Sequence, residues 1–245
     1  MEIASIDRKK EIIGLVKKLI LIAFYFLMMF YISDKLADWI KNNINYTDPD
    51  LITVLFQYIV YVPLLILGIF MLTKDLSQSY KEMTSDKFWK IFGGVMVGLG
   101  LCYFGNFFGS MISEAIDPSA SDSANQEAIE AIFKGKYGAL MLLDVCIIGP
   151  IVEELVFRGA IQRGLLKLHI HPVVAILIAS ITFGFIHVID AGDYAQVFPY
   201  IFMGISLGLT SYKSKSLVPN MIVHILINTI ASSVLLIQSI ISQIS

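Results

Sequence analysis

The sequence predicts an all-α fold, a polytopic transmembrane helical bundle of about seven spans with room for an eighth. Three observations carry that expectation. Of 245 residues, 56% are hydrophobic and only 16% charged. The mean hydropathy is +0.74, so the chain is far more apolar than an ordinary soluble domain. The apolar residues also gather into seven runs, most of them near the roughly 20 residues that a helix needs to cross a bilayer.

The first run, about 12–32, begins behind Arg8, Lys9 and Lys10, with Lys17 and Lys18 close enough to its start to snorkel. A signal peptide starts the same way, but no small-residue cleavage site follows, so a retained span is expected. Runs 51–72 and 91–112 follow. The least apolar insert, Ser113 to Lys136, contains DPSASDSANQE and reads as a loop leading into a short amphipathic helix. The remaining runs are 137–158, 172–189, 196–212 and 217–237.

When the loops are assigned to alternate sides, only Lys35, Lys41, Lys134 and Lys136 of the 18 Lys and Arg fall on one of them. The positive-inside bias then places a multi-pass chain in the cell membrane with its N-terminus cytoplasmic. An eighth span would reverse the C-terminal half of this assignment. Cys102 and Cys146 lie in apolar runs without metal-type spacing and read as small buried hydrophobes. The net charge is −2, and no basic tract with interleaved aromatics offers a nucleic-acid surface.

Residues 151–159 read IVEELVFRG. Charges in an apolar span cost several kcal/mol unless paired or hydrated, so they are expected to face a bundle interior or cavity. Glu154 and Arg158 are four apart on one helical face, where they can pair. Glu153 is rotated roughly 140° from Arg158 at α-helical spacing, which leaves its carboxylate available. Two later spans supply partners: FGFIH ends in His187, and HILIN places His224 and Asn228 one turn apart. Glu153 and His187 lie almost equally far from the HIHP turn at 169–172, so an antiparallel hairpin folded there brings them level. His169 and His171, in that turn, read as solvated.

A free carboxylate, two imidazoles and an amide suit hydrolysis in two ways. Glu153 could take a proton from water and later pass it to a leaving amine, with His187 orienting the water and His224 and Asn228 donating to the oxyanion. Alternatively, Glu153, His187 and His224 could ligate zinc and leave a position open for water. Spacing leaves both open. Taken singly, each element has a bland reading: paired charges tie helices together, and membrane histidines often bond a neighbouring carbonyl.

EELVFR, FGFIH and HILIN resemble the three motifs of the CPBP family, the CAAX-protease and bacteriocin-processing membrane endopeptidases related to Rce1, written EExxxR, FxxxH and HxxxN. The trio occurs complete and in order within 149–229. The resemblance implies a membrane peptidase with Glu153 activating water, Glu154 and Arg158 supporting it, His187 assisting, and His224 with Asn228 stabilising the oxyanion. It implies a peptide or membrane-protein substrate within the lipid, and either a zinc or a metal-independent mechanism. Its associations are with protein maturation, CAAX processing and bacteriocin immunity. Residues 137–245 would be the catalytic core, and 1–136 would add N-terminal helices and a polar loop to the same membrane domain.

Other readings carry less. No HExxH occurs. GISLG at 204–208 fits GxSxG and could pair Ser206 with His224, but Gly204 and Gly208 also have the spacing of helix packing, as do Gly94 with Gly98 and Gly105 with Gly109. FYFLMMF at 24–30 reads as lipid-facing or core. A non-catalytic immunity protein or a transporter is the alternative of a different class. Asp144 would favour transport, being rotated roughly 180° from Glu153 at α-helical spacing.

Overall fold

A computed structural model describes residues 2–43, 49–85, 88–118, 127, 130–131 and 137–244. The described residues form eight helices. Helix α1 runs over 2–43, with a π-helical segment at Met28–Ile32. Then come α2 (Pro49–Met71), α3 (Thr73–Ser85) and α4 (Phe88–Ile116). Helix α5 is continuous over 138–167 but carries two π segments, Asp144–Ile148 and Glu154–Gln162. Helices α6 (Pro172–Ile186), α7 (Val197–Ser214) and α8 (Val218–Ile244) complete the chain. The seven apolar runs all fall on helices, and the remaining helix, α3, is the polar one. The amphipathic helix expected before Lys136 lies largely outside the described residues, as do Lys87, Lys134 and Lys136.

Arg8–Ile40, Leu51–Met71 and Phe88–Ile116 are long and apolar enough to cross a membrane, and Pro172–Ile186 and Val218–Val234 are shorter apolar helices. Their outer faces are unusually greasy: Trp89 is 75% exposed, Phe104 68% and Phe70 65%. Water would penalise that surface and hydrocarbon does not. The chain is a multi-pass membrane protein.

Helix α5 is central, packed by α1, α2, α6 and α8. Its Val152, Leu155, Val156, Phe157 and Ala160 form the main core with Leu21 and Tyr25 of α1, Val60 and Leu64 of α2, and Phe183 of α6. A smaller core joins Val95 and Cys102 of α4 to Leu207 of α7 and Val223 of α8. Where α4 crosses α7 the backbones nearly touch. A Cβ at Gly109 would stand 2.6 Å from Pro199, and one at Gly204 would stand 3.0 Å from Ser180 of α6. The small-residue spacing therefore serves packing at these positions, whereas Gly94 has open space around it.

The turn 168–171 reverses the chain between α5 and α6. His169 takes the left-handed conformation (φ 60°), and His171 Nδ1 accepts the Val173 N–H, capping α6 ahead of its N-terminal proline.

One end of the bundle is closed by a polar clamp. Lys18 does not snorkel as expected. It is 2% exposed, and its Nζ donates to Asp75 Oδ2 of α3 at 3.0 Å and to the Gly159 carbonyl of α5 at 2.5 Å. The π segment containing Gly159 departs from i→i+4 bonding, the kind of irregularity at which a carbonyl becomes available to a side chain. Lys167 adds a second pair to Asp75 at 3.4 Å. Arg163 Nη1 donates to Ser79 Oγ and Nη2 to the Lys215 carbonyl, both at 3.0 Å. Ser216 Oγ donates to the Ser79 carbonyl at 2.8 Å. The clamp thus unites α1, α3, α5 and the α7–α8 turn, segments whose basic residues the charge count placed on one side.

Burial alone would raise the Asp75 carboxyl, but Lys18, then Lys167 and Arg163, outweigh it and hold it below the usual carboxylate range. A folded value below the unfolded one gives stability that is complete above about pH 4 and lost as pH falls through the lowered value. Asp75→Asn is expected to remove that acid-side loss. At neutral pH it should cost about 3–5 kcal/mol, because Lys18 is left buried without a counter-charge. Thermal unfolding in detergent from pH 2 to 7 reads both effects.

Candidate active site

The site is built on the second π segment of α5. Glu154 and Arg158 are both fully buried, where an unpaired charge is not tolerated. Arg158 Nη1 donates to Glu154 Oε1 at 2.7 Å and Nη2 to the Gly204 carbonyl of α7 at 2.9 Å. The guanidinium lies over the Phe183 ring, 4.8 Å from its centroid. Glu154 also takes two donors from α8: His224 Nδ1 at 2.8 Å on Oε1, and the Asn220 amide on Oε2. One carboxylate therefore joins α5 and α8, and its arginine partner joins both to α7.

Glu153 stays outside this pair. It makes no ion pair with Arg158 and faces the two imidazoles instead. Its Oε2 lies 3.6 Å from His224 Nε2 and its Oε1 3.9 Å from His187 Nε2. The α5–α6 hairpin does bring Glu153 and His187 level.

The partners of the other ring nitrogens assign the tautomers. His187 Nδ1 lies 2.8 Å from the Phe183 carbonyl, which only accepts, so Nδ1 carries the proton and Nε2 turns a lone pair toward Glu153. His224 Nδ1 donates to Glu154, so its Nε2 is a lone pair in the neutral ring and a donor in the imidazolium. Tyr200 of α7 stacks on His187, with centroids 4.4 Å apart at 19°, and holds that ring in place. Both Nε2 distances exceed a direct hydrogen bond, and one solvent molecule can span such a gap by donating to the carboxylate and to an imidazole.

Other expected positions fall elsewhere. Asn228 Nδ2 donates one N–H to the Val145 carbonyl at 2.9 Å and ties α8 to α5. Ser206 Oγ donates to the Leu101 and Phe202 carbonyls, so it faces α4 and forms no dyad with His224. Asp144 and Glu153 are not related by α-helical spacing. The rotation of 100° per residue fails because Asp144 opens a π segment. Asp144 is 4% exposed and its Oδ1 has no partner among the described residues.

The zinc reading has no gathered ligand set among the described residues. Zinc ligands about 2.0–2.2 Å from the metal stand roughly 3.3–3.6 Å apart in a tetrahedron. His224 Nε2, 3.6 Å from Glu153, stands at the edge of that range, and His187 Nε2, at 3.9 Å, lies beyond it.

Asn220 escaped sequence reasoning, although the signal was present. It stands four residues before His224, and Asn228 four after, so NMIVHILIN carries one polar stripe along α8.

The two glutamates should respond differently to substitution. Arg158→Ala is expected to cost about 3–5 kcal/mol by stranding Glu154. Glu153→Gln should leave thermal unfolding within about 1 kcal/mol of the wild type, since it breaks no short contact. Equal loss of folded protein from both would refute this division.

Residues 135–230 match the family described as "Type II CAAX prenyl endopeptidase Rce1-like". An uncharacterized protein of Mycoplasma capricolum subsp. capricolum is 26% identical over 181 residues, 71% of this chain and 52% of the relative. The chain thus spans about half the length of that curated relative. No solved structure matches. The matched region contains Glu153, Glu154, Arg158, His187, His224 and Asn228, and is similar to the Rce1-like type II CAAX prenyl endopeptidase family.

Proposed function

We propose that the protein is an intramembrane peptidase in which Glu153 activates water for attack on a peptide bond. The observation that carries this reading is the Glu153 carboxylate, which stands within 4 Å of two Nε2 atoms while Glu154 absorbs the charge of Arg158. The family match supports a peptide as substrate.

In this mechanism water donates one hydrogen bond to Glu153 and the other to the His187 lone pair, which aims its oxygen at the scissile carbonyl carbon. As the C–O bond forms, Glu153 takes the proton and the carbonyl π pair moves onto oxygen. With its Nδ1–H held on Glu154, His224 donates to that oxyanion from Nε2 when the ring carries both protons. Collapse of the intermediate breaks the C–N bond, and the proton passes from Glu153 to the departing amine. Asn228 holds the Val145 carbonyl through one N–H of its amide, and the second N–H is left to donate to the oxyanion.

All seven apolar helices cross the bilayer in this reading, with the N-terminus and α3 in the cytoplasm. Maturation of a membrane-bound protein or peptide is the process this chemistry serves, and bacteriocin self-immunity is one setting for it. The unpartnered Asp144 favours a second reading, a transporter or a non-catalytic immunity protein, since a buried acid without a donor is also how an ion path is built.

Glu153→Gln separates the two. It keeps size and hydrogen bonding but removes the base, so cleavage of quenched peptides by the reconstituted protein is expected to fall at least about 10²-fold. Undiminished cleavage would sink the peptidase reading, and loss of ion or solute flux in the same liposomes would favour transport.

A further inference from the structure

Lys18 closes one end of the bundle, but one of its bonds reaches the helix that carries the site. In a regular α-helix the Gly159 carbonyl would accept the Arg163 N–H. Here that N–H closes on the Arg158 and Ala160 carbonyls, where the π segment Glu154–Gln162 ends. The ladder therefore passes over Gly159 at this donor, and Lys18 Nζ donates to its carbonyl at 2.5 Å. The lysine stem arrives along the backbone of α5: a Cβ at Gly164 would stand 3.6 Å from Lys18 Cδ. Asp75 Oδ2, 3.0 Å from Nζ, answers the charge and aims the ammonium.

The irregular ladder lies between two sets of anchors. On its N-terminal side Glu154 is bonded to Asn220 and His224 of α8. On its C-terminal side Arg163 is bonded to Ser79 of α3 and to the Lys215 carbonyl. Reversion to α-helical closure would give Gly159 its ordinary donor, but each residue taken out of the wide turn rotates one side against the other by about 100°. Glu153 stands immediately before the segment, six residues and roughly 9 Å along α5 from Gly159. Any such rotation would move its carboxylate from its place 3.6 Å from His224 Nε2 and 3.9 Å from His187 Nε2. A misplacement of about 1 Å, caused far from the chemistry, can cost about 10²-fold in rate.

We propose that Lys18 is a positioning residue for the site: by donating to the Gly159 carbonyl it holds the π register of α5, and with it the placement of Glu153 against His187 and His224. This rests on the peptidase reading. Lys18 touches neither substrate nor the attacking water and acts only through the backbone of α5. Neither Lys18 nor Asp75 lies within residues 135–230, so the N-terminal helices contribute to the site beyond the family-matched region.

Removing either charge of the Lys18–Asp75 pair alone disturbs the other, so the test removes both. Lys18→Met combined with Asp75→Asn strands no buried charge and keeps a side chain of similar length at position 18, but it leaves no donor for Gly159. The full-length wild type, this double variant and Glu153→Gln are compared in liposomes, using the member of a quenched peptide library that the wild type cleaves fastest. The double variant is expected to lose about 10²-fold in kcat, with KM within about twofold and an unchanged folded fraction at the assay temperature. A kcat within about threefold of the wild type would overturn the proposal. So would a loss of activity that merely follows a loss of folded protein, since that marks a clamp for the bundle alone. If Glu153→Gln is inactive while the double variant is unimpaired, the role of Lys18 alone is excluded. If Glu153→Gln cleaves like the wild type, the peptidase reading falls and takes this inference with it.

Discussion

Burying a full charge pair among apolar helices is costly unless every lone pair and proton is answered. In this protein Glu154 and Arg158 set that requirement. Beyond their own bond, Arg158 reaches the Gly204 carbonyl of α7 and Glu154 takes Asn220 and His224 of α8, so three helices are tied together by one pair. An apolar interface would hold them as firmly but with less directional control, because dispersion and burial specify distance better than rotation. The pair therefore governs where the His224 ring points, and with it the geometry around Glu153.

Two further constraints act on the same helix. The matched arms of the α5–α6 hairpin set the level of His187 against Glu153, and the clamp at Lys18 and Asp75 sets α1 against α5. Along α5 the π segments alter which residues share a face. Such segments are often found at functional sites, where they re-aim side chains that a regular helix would direct elsewhere. Here one of them begins at Glu154, immediately after Glu153, and it contains the Gly159 carbonyl that Lys18 reaches.

Much of this arrangement was legible in local spacing. The four-residue separation of Glu154 and Arg158 was enough to anticipate their pair. The equal distances of Glu153 and His187 from one turn were enough to anticipate their meeting. Spacing did not disclose the π segments, because a pair four residues apart meets in either ladder, and so the α-helical rotation assigned to Asp144 was wrong. Nor did it disclose partners distant in sequence. Lys18 appeared to snorkel because its counter-ion lies 57 residues away, and the Val145 acceptor of Asn228 went unseen because it is a backbone oxygen on another helix.

The two arms of the α5–α6 hairpin meet at the level of the candidate site, but the four residues between them carry no comparable obligation. His169 and His171 are exposed, and the turn's own bonds are short-range. Lengthening either arm would slide an imidazole past its carboxylate. Lengthening the turn would leave that alignment alone, which makes it a natural attachment point for an epitope or a fluorophore.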